Sequence, residues 1–221
     1  MRTKLYIAST DALRDEKRFA RLKLTIPPAR REKLDAFRHD GARRLSLAAS
    51  LLLVRALQDE GLRADEIAVT EYGKPYLPRL PDVHFSLSHS GDTALCAVSP
   101  KEIGCDIEAP HRYDEKIAKR FFHSAEQEWL FSRPADEQAD AFFRLWTCKE
   151  SFIKAIGLGL SLPLDSFAVI PGERVRLTQT ADARPWQLRS FRDGDCFLAL
   201  CGLEGVKDAP LERVDFGEVC A

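Results

Sequence analysis

The segment from Trp146 to Gly159, Trp-Thr-Cys-Lys-Glu-Ser-Phe-Ile-Lys-Ala-Ile-Gly-Leu-Gly, constrains the fold more than any other. On a helix of 3.6 residues per turn, Phe142, Leu145, Cys148, Phe152, Ile153, Ala155 and Ile156 share one broad apolar arc. A helix with such an arc has to be laid against a core. Glu150 and Lys154 fall outside the arc, four residues apart, so a carboxylate and an ammonium project side by side. Gly157 is the expected stop. A Glu–Lys pair of this kind is most often a solvated ion pair of little consequence. A second acidic pair upstream gives it weight.

Gly104-Cys105-Asp106-Ile107-Glu108 has the alternation of a strand, with Ile103, Cys105 and Ile107 on one side and Asp106 and Glu108 on the other. Side chains two apart on one strand face are roughly 7 Å apart. Two carboxylates so placed repel unless a cation lies between them, and a hard divalent ion such as Mg²⁺ takes oxygen ligands of this type.

The 221 residues, 45% of them hydrophobic, suffice for one large domain or two small ones with a real core. Lys and Arg number 33 against 34 Asp and Glu, so nothing global points to nucleic acid and any charged partner must meet a local patch. The six cysteines, at positions 96, 105, 148, 196, 201 and 220, form no Cys-x-x-Cys pair and lie mostly in apolar runs. They are expected to be small buried hydrophobes in a reducing compartment. The charged N-terminus and the lack of any run of about 18 apolar residues predict a cytoplasmic chain that is neither secreted nor membrane-spanning.

In chain order, a strand is expected at Leu5 to Ala8 and helices at Asp11 to Leu24 and Ala29 to Phe37. Arg30, Arg31, Lys33, Arg38, Arg43 and Arg44 make a basic run that is either a solvated face or an anion-binding patch. Ala42 to Leu57 is apolar enough to be a buried helix. After a strand at Glu66 to Thr70, the turn Glu71-Tyr72-Gly73-Lys74-Pro75-Tyr76 projects Lys74, either into solvent or toward a phosphate. Val83 to His89 alternates as a half-buried strand, with Ser86 and Ser88 on one face and Phe85 and Leu87 on the other, and delivers His89 to a polar turn. Thr93 to Val98 completes a hairpin. Tyr113 to Phe122 is a basic helix carrying Lys116, Lys119 and Arg120, and Ser124 with Gln127 has the spacing of a capping box. Strands follow at Phe167 to Ile170, Val175 to Leu177, Trp186 to Phe191 and Phe197 to Gly202. The sequence shows no internal repeat. The expected class is α+β with antiparallel sheet.

Together these segments resemble the Sfp-type 4′-phosphopantetheinyl transferases. The family pattern is Gly-x-Asp-x-Glu, here Gly104 to Glu108, followed by Trp-x-x-Lys-Glu-x-x-x-Lys, here Trp146 to Lys154. Glu71 to Pro75, Phe85 to Ser90 and Gly157 to Asp165 are similar to further family segments, and the likeness runs from Ala29 to Ala168. Cys105 stands where the family more often has an aliphatic residue.

The resemblance implies two similar subdomains related by a pseudo-twofold axis, with the active site in the cleft between them. Residues 1–103 would contact the 3′-phosphate and adenine of coenzyme A, and residues 104–221 would carry the metal-binding carboxylates and the central helix. It further implies transfer of 4′-phosphopantetheine from coenzyme A to a serine of an apo acyl, peptidyl or polyketide carrier protein, releasing adenosine 3′,5′-bisphosphate. Mg²⁺, with Mn²⁺ as the alternative, would be held by Asp106, Glu108 and Glu150. Lys154 would contact and neutralise the phosphates. His89, Ser88 and Arg44 would hold the 3′-phosphate, Lys74 and Pro75 would lie against the adenine, and Arg30 and Lys33 would add positive charge. The serine proton would go to Glu150 or to a metal-bound water. A monomer is expected. The rivals are a Mg²⁺-dependent phosphodiesterase or nucleotide hydrolase, and a binding module without turnover. The basic helix is either a solvated face or a steering surface for an acidic carrier.

Overall fold

The computed structural model describes residues 1–63, 66–172 and 175–218, so Cys220 lies outside the described residues. Strand β1 (Lys4–Ser9) is followed by helices α1 (Glu16–Lys23), α2 (Pro28–Asp35) and α3 (Asp40–Gln58). A short hairpin of β2 (Ala68–Val69) and β3 (Pro75–Tyr76) leads to a long one, β4 (His84–Ser90) and β5 (Thr93–Ser99). The same succession then begins again. Strand β6 (Ile103–Glu108) leads through α4 (Glu115–Phe121) and α5 (Ser124–Phe131) to α6 (Gln138–Ile156). A short hairpin, β7 (Ala168–Ile170) with β8 (Arg176–Thr178), and a long one, β9 (Gln187–Asp193) with β10 (Cys196–Gly202), complete it. A last strand, β11 (Leu211–Arg213), had no counterpart in the sequence reading.

Sheet order makes the repetition explicit, since β1-β5-β4 in one sheet corresponds to β6-β10-β9 in the other, all antiparallel neighbours. β11 adds itself parallel to the outer edge of β1. The α+β class and the doubled architecture expected from the resemblance are both present. The repeat lies in topology and not in residue identity, which is why the sequence hides it. Both long hairpins turn on Gly-Asp, and Gly91 and Gly194 each take a positive φ, 57° and 56°, at the first turn position.

Each sheet buries one face under its 19-residue helix and the other against its fellow sheet. Tyr6, Ala8, Ala94, Cys96 and Val98 meet α3, whereas Leu5, Ile7, Leu95 and Ala97 meet Cys105, Ile107, Leu198 and Leu200 between the sheets. The alternation within β6 follows from this sandwiching: Cys105 and Ile107 face the first sheet, and Gly104 and Asp106 face α6. Gly104 permits the close approach, because a Cβ there would lie 2.1 Å from Ser151 O and 2.3 Å from Ala155 N.

Several boundaries differ from the sequence reading. The central helix starts at Gln138, ahead of the motif, and Gly157 ends it with φ 79° and an N–H···O bond to Ile153. The capping box of α5 belongs to His123 and Glu126, one residue earlier than expected: His123 Nδ1 accepts from Ala125 N, and Glu126 accepts from His123 N. Cys96, Cys105, Cys148 and Cys201 are buried free thiols and Cys196 is half-buried. Among the described residues, no helix is long and apolar enough to cross a membrane.

Candidate functional site

The edge strands β4 and β6 meet without a backbone ladder, and serine hydroxyls take its place. Ser86 Oγ accepts from Cys105 N at 3.0 Å, and Ser90 Oγ accepts from Ala109 N at 3.0 Å. Between and beside them, Ser88 Oγ donates to Asp106 Oδ1 at 2.6 Å and Ser90 Oγ donates to Glu108 Oε2 at 2.8 Å. Alternation puts all three serines on the face of β4 opposite Phe85, so the strand that closes the first core also orients the carboxylates of the second half.

Helix α6 supplies the remaining charges. Lys154 Nζ donates to Asp106 Oδ1 at 2.6 Å and to Ser88 Oγ at 3.0 Å. Desolvation pulls the Lys154 pKa down, but Asp106, Cys105 and Glu150 together outweigh it and leave the ammonium held above its ordinary value. Asp106 is only 3% exposed, and its second oxygen, Oδ2, is buried without a hydrogen-bond partner. Such an atom is costly unless something comes to it. Glu150 is pushed up by desolvation and by the negative charges of Asp106 and Glu108, against the pull of Lys154. Glu108 is raised by desolvation and by Asp106, opposed by its bond from Ser90. These three carboxylates therefore share one electrostatic site. As the side chains stand, no three His, Cys, Asp or Glu among the described residues close into a set that could hold a metal ion, and the Lys154 ammonium sits on Asp106 instead. The donor set nevertheless suits a hard cation: carboxylate oxygens alone, one of them orphaned, with the others destabilised by their neighbours.

A cavity of 270 Å³ opens beside them, lined by Tyr72, Lys74, Pro75 and Phe85 from the first half and by Glu150 and Lys154 from the second. The structure thus brings Lys74, Pro75, Glu150 and Lys154 together. Lys74 is not the free cation that its turn suggested. Its ammonium donates to Glu102 Oε2 at 2.5 Å and to Ala155 O at 2.7 Å, tying the turn to the end of α6. Desolvation lowers its pKa despite Glu102.

His89 is exposed at the end of β4, with a pKa lowered first by desolvation and then by the charge of Lys154 and, more weakly, Lys33. An arriving anion would oppose both effects and favour the protonated imidazole. Lys33 itself is exposed. Arg30 is tied to α3 through Nε to Ser50 Oγ at 3.0 Å, and burial lowers its pKa. Arg44 lies apart from the cleft cavity, lining a separate one of 280 Å³ with Arg14 and Arg43, and its buried Nε has no partner.

Sequence reading missed Lys149 and Glu126. Both side chains are fully buried, and Lys149 Nζ donates to Glu126 Oε1 and Oε2 at 2.6 and 2.7 Å and to Phe167 O at 2.9 Å. Glu126 also accepts from Val169 N, so one satisfied ion pair fastens α6 to α5 and β7 directly beside Glu150. The lysine of the Trp-x-x-Lys-Glu motif was the available signal.

The sequence model of the 4′-phosphopantetheinyl transferase superfamily matches residues 102–201. A 4′-phosphopantetheinyl transferase of Bacillus subtilis is 46% identical over 152 residues, 67% of this chain and 68% of that protein. The Bacillus subtilis 4′-phosphopantetheinyl transferase ffp is 39% identical over 170 residues, 75% of each chain. Among solved structures, a holo-(acyl-carrier-protein) synthase from Bacillus anthracis in complex with CoA (3′,5′-ADP) aligns at 18% identity and TM-score 0.42 over 46% of this chain and 94% of that one.

Proposed function

The chain belongs to the 4′-phosphopantetheinyl transferase superfamily, and from that membership we propose that it transfers the 4′-phosphopantetheine arm of coenzyme A to a serine hydroxyl of an apo carrier protein. In that reaction the serine oxygen bonds to the phosphorus bearing the pantetheine, the bridging P–O bond breaks, and adenosine 3′,5′-bisphosphate leaves. The observation that carries the reading is Asp106, shared by Lys154 and Ser88 on one oxygen and orphaned on the other, buried behind the Lys154 that lines a cleft built by both halves.

Asp106, Glu108 and Glu150 would hold Mg²⁺ or Mn²⁺. Such an ion, when bound, would supply positive charge against the pyrophosphate. Lys154, already protonated and aimed at the carboxylates, contacts the phosphates and offsets charge on the departing oxygen. Glu150, its pKa raised by desolvation and its neighbours, would accept the serine proton directly or through water, with a metal-bound water as the alternative base. His89 and Ser88 hold the 3′-phosphate with Arg44, Arg30 and Lys33 adding positive potential, and Pro75 with the stem of Lys74 walls the adenine. Residues 1–103 form the subdomain that contacts the nucleotide and residues 104–221 the one that carries the carboxylates. Since one chain supplies both walls, a monomer in the cytoplasm suffices.

The test is mass spectrometry of an apo carrier protein incubated with the enzyme, coenzyme A and Mg²⁺. A phosphopantetheine mass gain, absent with Asp106→Ala, is expected. Cleavage of coenzyme A without a mass gain would establish a hydrolase instead, and a wild-type rate in Asp106→Ala would remove the metal assignment.

A further inference from the structure

A second cavity, of 540 Å³, lies on the other side of α6 and shares no lining residue with the cleft. Arg144 of α6, Arg176 of β8, Arg189 of β9 and Lys207, beyond β10, all line it, and no carboxylate does so among the described residues. Elsewhere Arg14, Arg43, Arg55, Arg184, Arg192 and Arg213 each face an aspartate. The bonds that Arg144 and Arg189 make go to neutral backbone carbonyls, Gly172 O and Ala209 O. In a chain whose formal charge is −1, four cations around one concavity are, among the described residues, a local excess that an entering anion would relieve.

Ser190 and Trp186 complete the wall with their polar atoms turned away from solvent: Ser190 Oγ lies near the Cys148 thiol and Trp186 Nε1 near Asp182, which Arg184 already holds, so the cations are what the cavity offers a ligand. Arg176 and Lys207 are exposed, so their charges remain reachable from solvent.

We infer that this cavity is a binding site for a small polyanion carrying two or more phosphate groups, separate from the catalytic cleft. Three guanidinium forks match phosphate oxygens in pairs, and one ammonium supplies a further point charge. The volume is that of a small-molecule site and far short of a macromolecular interface. Because α6 carries Arg144 toward its start and Glu150 and Lys154 toward its end, the site and the cleft share one rigid element.

The test is calorimetric titration of the full chain, saturated with coenzyme A in metal-free buffer without any carrier protein, using inorganic pyrophosphate and, separately, ADP. One equivalent of at least one probe is expected to bind. The double variant Arg176→Glu/Lys207→Glu, which leaves the cleft untouched, should bind it about a hundredfold more weakly while its transfer rate stays at the wild-type value. Equal affinity for the two probes assigns recognition to phosphate alone, and tighter ADP binding assigns it to a nucleotide. Failure of both probes to bind the wild type, or undiminished binding by the double variant, overturns the site.

Discussion

The two halves are built on one plan and filled differently. Aligned through their hairpins, Asp106 and Glu108 of β6 occupy the places of Tyr6 and Ala8 in β1, which are packed under α3. Aligned end to end, α6 puts Lys149, Glu150 and Lys154 where α3 has Leu51, Leu52 and Ala56, all buried. One half therefore shows what these positions hold when only packing matters. The other puts ionised groups into the same geometry, and desolvation, with repulsion from Asp106 added, lifts two of the carboxylates. Desolvating charge costs stability, and nothing in the repeated plan demands it. The departures are of two kinds: Lys149 is met by the buried Glu126 and serves the architecture, whereas Asp106, Glu108, Glu150 and Lys154 are the charges to which the proposed chemistry gives a use.

Replacing Glu150 with the first half's residue should separate the two purposes most sharply. Glu150→Leu is expected to lower carrier modification by about 10³-fold while raising unfolding free energy by about 1–2 kcal/mol, because a repelled, largely desolvated carboxylate becomes an apolar contact. Steady-state kinetics and urea denaturation read the two effects on one preparation. A variant that loses stability would show that Glu150 is held by compensating contacts, and the contrast between the halves would fail.

Lys149 tests the opposite case, a charge that belongs to architecture. Its ammonium is satisfied by Glu126 and Phe167 O, so Lys149→Met leaves Glu126 buried and uncompensated and should cost about 3–5 kcal/mol. The double variant Lys149→Met/Glu126→Leu, which removes both charges, should recover most of that loss. Chemical denaturation of the two proteins suffices. If the single variant were as stable as the wild type, the pair would not be what fastens α6.

How legible all this was in the sequence depends on the range of the interaction. Periodicity within one segment gave α3, α6 and the alternation of β6, since a buried face writes itself into neighbouring residues. It could not give the pairing of β11 with β1, nor the repeat, because hairpin and sheet order survive while side chains change. The acidic pair of β6 and the Glu150–Lys154 pair were visible as spacing, and the structure brings them together. For Lys74 the turn offered solvent or a phosphate, and its ion pair was not visible because Glu102 and the end of α6 reach it only through the tertiary fold. Lys149 was overlooked for the same reason: a helical wheel shows a lysine, not the carboxylate that comes to meet it.

A smaller effect tests whether the acidic site is poised for a cation. Glu108 and Glu150 have folded pKa values above the ordinary 4.5 through desolvation and the charge of Asp106. Between the unfolded and the raised folded value the native state binds more protons than the unfolded chain, so without metal their contribution lowers stability as pH rises through that window. A divalent ion needs the deprotonated forms and should reverse the trend. Thermal melts with and without Mg²⁺ should show an Mg²⁺-induced rise in Tm that is several degrees larger at about pH 7.5 than at about pH 5. A rise independent of pH would place the ion away from these carboxylates.

The weakest expected effect concerns α4, whose basic residues have no chemistry in the cleft. Lys119 is already paired with Glu115 at 2.7 Å, and Arg120 lies over the Phe121 ring, which leaves Lys116 as the more available charge. If this face steers an acidic carrier, Lys116→Glu should raise the carrier KM about two- to fivefold at low salt, with kcat and the coenzyme A KM unchanged. The effect should shrink as ionic strength rises, because an exposed charge acts over a screened distance. Equal changes in both KM values would instead assign the variant's effect to the cleft, where this helix supplies none of the cavity lining.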